Sequence, residues 1–316
     1  MVIKGVDPLQ AYLCDEGLAR FCTANYAKPD HINIKNLFMH LTNFSLNKNS
    51  DNFITPDDEF YKDSSTASKR LLTTIYKNLQ AKGKDVRYLK RQISNVLALT
   101  IIAIEPYLKN AYHCFISGEN TNPKCFQILG LDILIDENFN PWLMEVNANP
   151  SLNVYVDKEL PNGDIEQTLC ELDKYVKSML ISDTFKLISA EPPPSSDPKK
   201  PNFIKTMGCL KRILPDDGTQ FDQFYIYSHA ESIFQHLAGQ KGSDSISSMQ
   251  FQKLSKIPGL TNSGLLKAHY DIIYKNIVRK SDNSQMDLNS FFDALEELAS
   301  RLIRKKNPYE NINELV

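Results

Sequence analysis

Short apolar runs dominate the first third of the chain. Residues 1–6 and 10–14 predict strands joined by a turn at Asp7 and Pro8. Asp15, Glu16 and Gly17 then turn into an apolar-basic stretch at 18–21, and residues 36–43 predict a further short strand. Residues 47–68, crowded with Asn, Asp and Ser, predict a loop. From there the apolar period lengthens, and residues 66–81 and 86–112 predict helices. In the second, Leu89, Ile93, Val96, Leu97, Ile101, Ile104 and Leu108 form a stripe whose reading is core packing. Two apolar strands around a polar turn follow at 126–152, then a helix at 165–181. Residues 191–201 (EPPPSSDPKKP) favour extended polyproline and mark a linker. Beyond it, residues 221–237, 249–257, 263–278 and 288–303 predict four amphipathic helices with no evident catalytic constellation.

The paired strands at 126–152 carry the chemistry. Each interrupts its apolar run with oxygen-bearing side chains: Asp132 in the first, Glu145 and Asn147 in the second. Residues two apart share a strand face, and a turn centred on Asn138 and Phe139 sets Asp132 across from Glu145. Ile133, Leu134, Ile135, Leu143, Met144 and Val146 surround them, so the strands are expected to be buried on both faces. Two carboxylates and an amide gathered in a buried sheet are costly unless a cation lies between them. Hard oxygen donors that leave positions open suit Mg²⁺ bearing nucleotide phosphates. The competing reading is a hairpin with a solvated polar face.

Bulk properties change the picture little. The 316 residues predict two domains, or one with an appendage, and a net charge of −2 gives no global basic excess for nucleic acid. Basic residues gather at Lys69 and Arg70 and over 82–91, and acidic ones over 51–63, so a local patch for an acidic partner is open beside the plainer reading of solvated helix faces. Six cysteines (Cys14, Cys22, Cys114, Cys125, Cys170 and Cys209) lack metal-ligand spacing and fit a reducing compartment. A cleavable signal and a bilayer-length apolar run are both absent from the sequence, and cytoplasm or cytoskeleton is the expected setting.

At Asp132, Glu145 and Asn147 the chain resembles the tubulin tyrosine ligase-like family. Further stretches agree in the family's order: residues 12–21 (YLCDEGLARF), residues 39–48 (MHLTNFSLNK), and Ser68, Lys69 and Arg70 heading a helix. The pattern is nearer the glutamate-adding members. The resemblance implies an α/β (α+β) fold, the C-terminal lobe of an ATP-grasp enzyme, which forms an acylphosphate from a carboxylate and ATP before an amine displaces phosphate. It implies Mg²⁺ at Asp132, Glu145 and Asn147, nucleotide contacts from Thr42 and Asn43, and contacts to the incoming amino acid from Arg20, Ser45 and Lys69. Arg20 and Lys69 then stand as the catalytic cations, Arg20 gripping an oxyanion bidentately and Lys69 acting as a point charge. Without that context each reads as a surface ion-pair residue, and His40 reads as packing.

The family's N-terminal half, with its adenine pocket and nucleotide-gripping lysines, has no counterpart here, and residues 1–6 look like the end of the strand that follows it. The expectation is therefore little or no ligase activity from these residues alone. The distal helices, at Ala268–Lys275 and Phe291–Ala299, resemble the tubulin polymerization-promoting protein family, which implies a small all-α, EF-hand-like domain. Residues 282–287 (DNSQMD) lack a calcium loop's glycine and terminal glutamate, and no calcium site is expected. The expected organisation is a partial ATP-grasp domain at 1–185, a linker at 186–215, the helical domain at 216–306 and a tail at 307–316.

Two classes of function follow from the resemblance. One is a tubulin polyglutamylase using ATP, Mg²⁺ and L-glutamate on tubulin or microtubules, at the cytoskeleton, cilium or basal body. It acts as a monomer, with no nucleic-acid or membrane partner, and Lys69, Arg70, Arg87, Lys90 and Arg91 hold an acidic tail. The other is a noncatalytic microtubule-binding protein. A glycine ligase stays open within the first class.

Overall fold

The computed structural model describes residues 1–56, 66–116, 125–159, 162–191, 203–215, 220–239, 243–257, 260–261, 264–281 and 284–303. Two compact units emerge, the first from residues 1–97 and 121–215, the second from 98–120 and 216–316.

In the first unit β1 (Val2–Val6) and β2 (Leu9–Cys14) pair antiparallel, as their apolar runs predict. β3 (Leu18–Arg20) follows. Residues 36–43 depart from expectation: they give a helical turn, α1 (Leu37–His40), and an irregular segment leading to α2 (Phe44–Asn47). Asn47 decides this. Its buried amide accepts from the Thr23 backbone N (3.1 Å) and Oγ1 (2.9 Å) and donates to the carbonyls of Leu41 (2.7 Å) and Asn43 (3.1 Å). A fully bonded buried amide outweighs the weak strand preference of an eight-residue segment.

Residues 66–81, expected to be wholly helical, begin instead with β4 (Lys69–Leu71), which pairs with β3 before α3 (Leu72–Ala81) starts. Glu16 fixes that start. Its carboxylate accepts from the backbone N of Gly17 (3.0 Å) and Thr73 (3.0 Å) and from Thr73 Oγ1 (2.6 Å), so one free N–H of the helix's first turn, that of Thr73, is occupied. α4 (Val86–Phe115) follows; of its expected core stripe Leu89, Leu97 and Ile101 are buried, whereas Ile104 is exposed.

β5 (Gln127–Ile128) joins the edge of β1, and β6 (Gly130–Ile135) pairs with β7 (Pro141–Asn147). The stretch expected as a helix from residue 165 opens with a strand. β8 (Tyr155–Glu159) and β9 (Ile165–Leu169) form a hairpin, and α5 (Glu171–Ser189) follows it. Ile165 and Leu169 fit a helical spacing, but five ladder pairs with β8 override it.

Of the proline-rich linker, residues 192–201 lie outside the described residues. Its flanks belong to the unit: residues 186–189 finish α5, and β10 (Thr206–Met207) and β11 (Leu210–Leu214) return to the sheet, giving the order β10-β11-β2-β1-β5. Val2, Tyr12, Leu187, Ile204 and Leu210 seal α5 against this sheet.

The second unit holds the end of α4 with α6 (Asp222–Ala238), α7 (Ser248–Phe251) running into a 3₁₀ turn at Gln252–Lys256, α8 (Lys267–Ser281) and α9 (Leu288–Ile303). Phe234, Phe251, Tyr270 and Phe291 meet edge-on at its centre. Ile246 and Met286, each in a loop between helices, exchange two backbone hydrogen bonds (2.8 and 3.2 Å), tying two helix–loop–helix halves together. Residues 282–283 and the tail lie outside the described residues.

Candidate active site

Backbone register builds the site. Asp132 stands opposite Glu145, and Gly130 opposite Asn147. Between Asp132 and Ile133 the ladder slips, so Met144 is an extra residue, a bulge in β7. The turn is held by Asp136, whose carboxylate accepts from the backbone N of Asn138 and Asn140 (both 2.8 Å), from Asn140 Nδ2 (3.2 Å) and from Trp142 Nε1 (3.0 Å). The Trp142 indole N–H and the Asn140 backbone N–H hold this carboxyl below the ordinary carboxylate range. Phe139, at φ 66°, completes the reversal.

Asp132, Glu145 and Asn147 therefore share one face of the hairpin. Asn147 Nδ2 donates to Glu145 Oε1 (3.1 Å), so the bond uses neither Asn147 Oδ1 nor Glu145 Oε2. Asp132 Oδ2 pairs with the Arg20 guanidinium, a contact that does not involve Oδ1. Two carboxylates and an amide oxygen on an accessible face fit a hard divalent cation that keeps other ligands. A cleft of about 300 Å³, lined in part by Ile128, Ala148, Pro150 and Leu152, opens where the chain leaves Asn147. Gly130 permits this close approach: a Cβ there would lie 3.0 Å from Pro150 Cβ.

The hairpin is not buried, which corrects the reading of its apolar run. Leu131, Ile133, Ile135 and Leu143, on the opposite face, are half-buried, whereas Leu134 (52% exposed) and Trp142 (58%) lie open beside the acidic groups. A two-stranded sheet has only one packed side here, so the doubly apolar pattern overstates its burial.

Arg20 and Lys69 occupy paired positions of the β3–β4 ladder but have different fates. Arg20 reaches Asp132 in a partly exposed ion pair. Lys69 is buried, pairs with Asp173 at the start of α5, and lies 5.0 Å from the Phe44 ring centroid. Burial pushes the Asp173 carboxyl up, but the hydrogen bond and charge of Lys69, with Lys177 at 3.2 Å, outweigh it and hold the carboxyl below its ordinary value. Thr42, Asn43 and Ser45 stand on the segment that Asn47 anchors; the Asn43 carbonyl accepts from Asn47, and Asn43 and Ser45 side chains are exposed. Among the described residues no hydrogen bond or ion pair joins this segment to the hairpin. His40 bonds to Asn33 (3.1 Å) and meets Tyr26 edge-on, a packing role.

Sequence reasoning passed over Glu16, Asn47, Asp136 and Asp173. For the first three the signal was present, as turn residues beside recognised motifs. Asp173 escaped because its main partner, Lys69, lies 104 residues away.

Residues 1–199 match the tubulin-tyrosine ligase family. The chain belongs to that family. Residues 211–316 match the family described as "Tubulin polyglutamylase TTLL11, EF-hand". Tubulin polyglutamylase TTLL11 of Homo sapiens is 31% identical over 352 residues, covering all of this chain and 48% of its own length. Tubulin polyglutamylase ttll6 of Danio rerio is 31% identical over 275 residues, 80% of this chain and 34% of its own. Tubulin polyglutamylase ttll-11 of Caenorhabditis elegans is 39% identical over 196 residues, 59% of this chain and 27% of its own. The chain spans about half the length of the TTLL11 relatives it matches. Among the described residues no helix is long and apolar enough to cross a membrane. The tubulin-tyrosine ligase match covers the Arg20–Asp132 pair, the 41–47 segment and the acidic hairpin, and the EF-hand match covers the paired helix–loop–helix halves.

Proposed function

We propose that the chain carries the metal- and phosphate-facing part of an ATP- and Mg²⁺-dependent ligase that adds L-glutamate to tubulin tails. In this reading residues 1–185 are the C-terminal lobe of an ATP-grasp fold, and 216–306 an EF-hand-like accessory domain. One observation carries it: Asp132, Glu145 and Asn147 converge on an open hairpin face, with Arg20 bound at its edge. The family and the polyglutamylase names of its relatives support it.

Asp132, Glu145 and Asn147 would hold Mg²⁺, which when bound neutralises charge on the transferring phosphoryl group. Asn147 fixes Glu145 through its amide N–H, so both donors are aimed before anything binds. Arg20 exchanges its hold on Asp132 for an oxyanion of the reacting groups, a swap between two charge-assisted pairs. Thr42 and Asn43 contact the nucleotide, and Ser45 the incoming amino acid. Lys69 acts on that amino acid as a charge fixed by Asp173 and the Phe44 ring. Arg87, Lys90 and Arg91, exposed on one stretch of α4, attract the acidic tail. The setting is the cytoplasm and the microtubule cytoskeleton, including cilia.

The test is labelled glutamate and labelled glycine offered with tubulin and ATP to the chain extended by the N-terminal lobe that the resemblance calls for. Glutamate incorporation is expected, falling roughly 10²-fold or more in Glu145→Gln. Incorporation that survives this substitution unchanged removes the hairpin from the chemistry. The openness of the hairpin favours one second reading, a noncatalytic tubulin-binding module. In that case the chain alone co-sediments with microtubules, and Glu145→Gln leaves the extended protein's glutamate incorporation, already absent, untouched.

A further inference from the structure

Cys14 ends β2, and Cys209 sits in the turn between β10 and β11, 195 residues later. Their Sγ atoms are 3.0 Å apart. The approach is built by the sheet. Leu210 pairs with Cys14 in the β11–β2 ladder, and the Asp15 backbone N donates to the Cys209 carbonyl (2.8 Å). On the other side the Cys209 backbone N donates to Asp183 Oδ2 of α5 (2.8 Å), a carboxylate itself held by Lys186 (2.8 Å). Gly208, at φ 57°, makes the seat possible, since a Cβ there would fall 2.0 Å from Asp183 Oδ2. Both cysteines are partly open to solvent.

We propose that Cys14 and Cys209 form a dithiol modification site, oxidised by a hydroperoxide to an intramolecular disulfide. The two thiols are unequal. The hydrogen bond from Cys209 lowers the Cys14 thiol, against burial, while that same bond, burial and the facing Asp183 raise Cys209. Cys14 is therefore the attacking sulfur. Its thiolate attacks the peroxide's terminal oxygen, breaking the O–O bond to give a sulfenic acid and releasing an alcohol, or water from hydrogen peroxide, as the departing oxygen takes a proton. Cys209, losing its proton, attacks the sulfenyl sulfur; the S–S bond forms and the S–OH bond breaks, expelling water. In sum, two thiols and one hydroperoxide give one disulfide, one alcohol and one water: the sulfurs lose two electrons and the peroxide gains them. The product ties the β10–β11 hairpin covalently to the end of β2, from which the chain continues through Glu16 into β3 and Arg20. Juxtaposed thiols of this kind belong to redox sensing in reducing compartments.

The experiment treats the full 316-residue chain with hydrogen peroxide, then counts free thiols and maps non-reduced proteolytic peptides by mass spectrometry. Free thiols should fall from six to four at mild dose, and the Cys14 and Cys209 peptides should appear joined, two hydrogens lighter than their sum. The joining should be independent of protein concentration and reversed by dithiothreitol. Cys209→Ser should leave Cys14 as a sulfenic acid trapped by dimedone, and Cys14→Ser should abolish the linked peptide. Cys22→Ser serves as a variant that leaves it intact. Predominant pairing through Cys22, Cys114, Cys125 or Cys170, disulfide-linked dimers in place of the internal bond, or both thiols still titratable after the exposed cysteines are oxidised, would each overturn the proposal.

Discussion

The helical unit and the acidic hairpin use apolar residues in opposite ways. In the helical unit Phe251, Tyr270 and Phe291 are wholly buried at the centre of a common core. In the hairpin Leu134, Trp142 and Met144 stay open beside Asp132 and Glu145. One region gathers its aromatic residues into a shared core, even though Phe224, Met249 and Ile272 stay exposed at its surface. The other leaves apolar surface uncovered around a cluster of like charges, the mark of a surface shaped for something other than stability. The ladder of β3 and β4 shows a third condition, where Lys69 is buried against Asp173 while Arg20, paired across from it, stays partly exposed.

Substitutions can sharpen this contrast. Phe291→Ala, in the helical unit, should cost about 3–5 kcal/mol in chemical denaturation. The matching truncation in the hairpin, Met144→Ala, should cost roughly 0.5 kcal/mol or less, since Met144 is 63% exposed. Equal losses would erase the distinction between the regions. Lys69→Met, which leaves the buried Asp173 carboxylate with Lys177 alone, should cost roughly 1–3 kcal/mol. Arg20→Ala, across the ladder in an exposed pair, should cost no more than about 1 kcal/mol. Asn47→Ala should cost about 1–3 kcal/mol and free the 41–47 segment, read as faster amide exchange at Phe44–Asn47.

The smallest effect is in pH. Because Lys69 holds the Asp173 carboxyl below its ordinary value, the pair's contribution is complete above the unfolded carboxylate pKa of about 4 and is lost as pH falls through the lower folded value. The acid limb of the stability profile should flatten in Lys69→Met. An acid limb identical to that of the parent protein would mean the pair contributes no pH-dependent stability.

Much of the site was legible because strands count in twos. A turn centred between Asn138 and Phe139 sets Asp132 opposite Glu145; the structure centres the turn on Asn138 and reaches the same pairing through the extra residue Met144. The long helix and three of the distal helices announced themselves by period, while the stretch 249–257 forms only a short helix ending in a 3₁₀ turn. What escaped was set by distant partners. The segment 36–47 folds around Thr23 through one amide, β9 is a strand because β8 lies beside it, and β11 reaches the main sheet only after the proline-rich run. Burial of the hairpin was misjudged because composition records how apolar a strand is, not what covers it. The Cys14–Cys209 approach had no spacing to betray it.

The extra residue in β7 reaches further than its own exposure. In an unbroken strand Leu143, Glu145 and Asn147 would all look the same way, and the acids would be turned toward the half-packed side that Leu143 occupies. Met144 shifts the phase by one place, so odd-numbered positions speak to packing on one side of it and to chemistry on the other. Anyone aligning relatives across this strand, or grafting its donors onto another scaffold, has to carry that extra step along, because even-and-odd counting alone sends Glu145 to the wrong side.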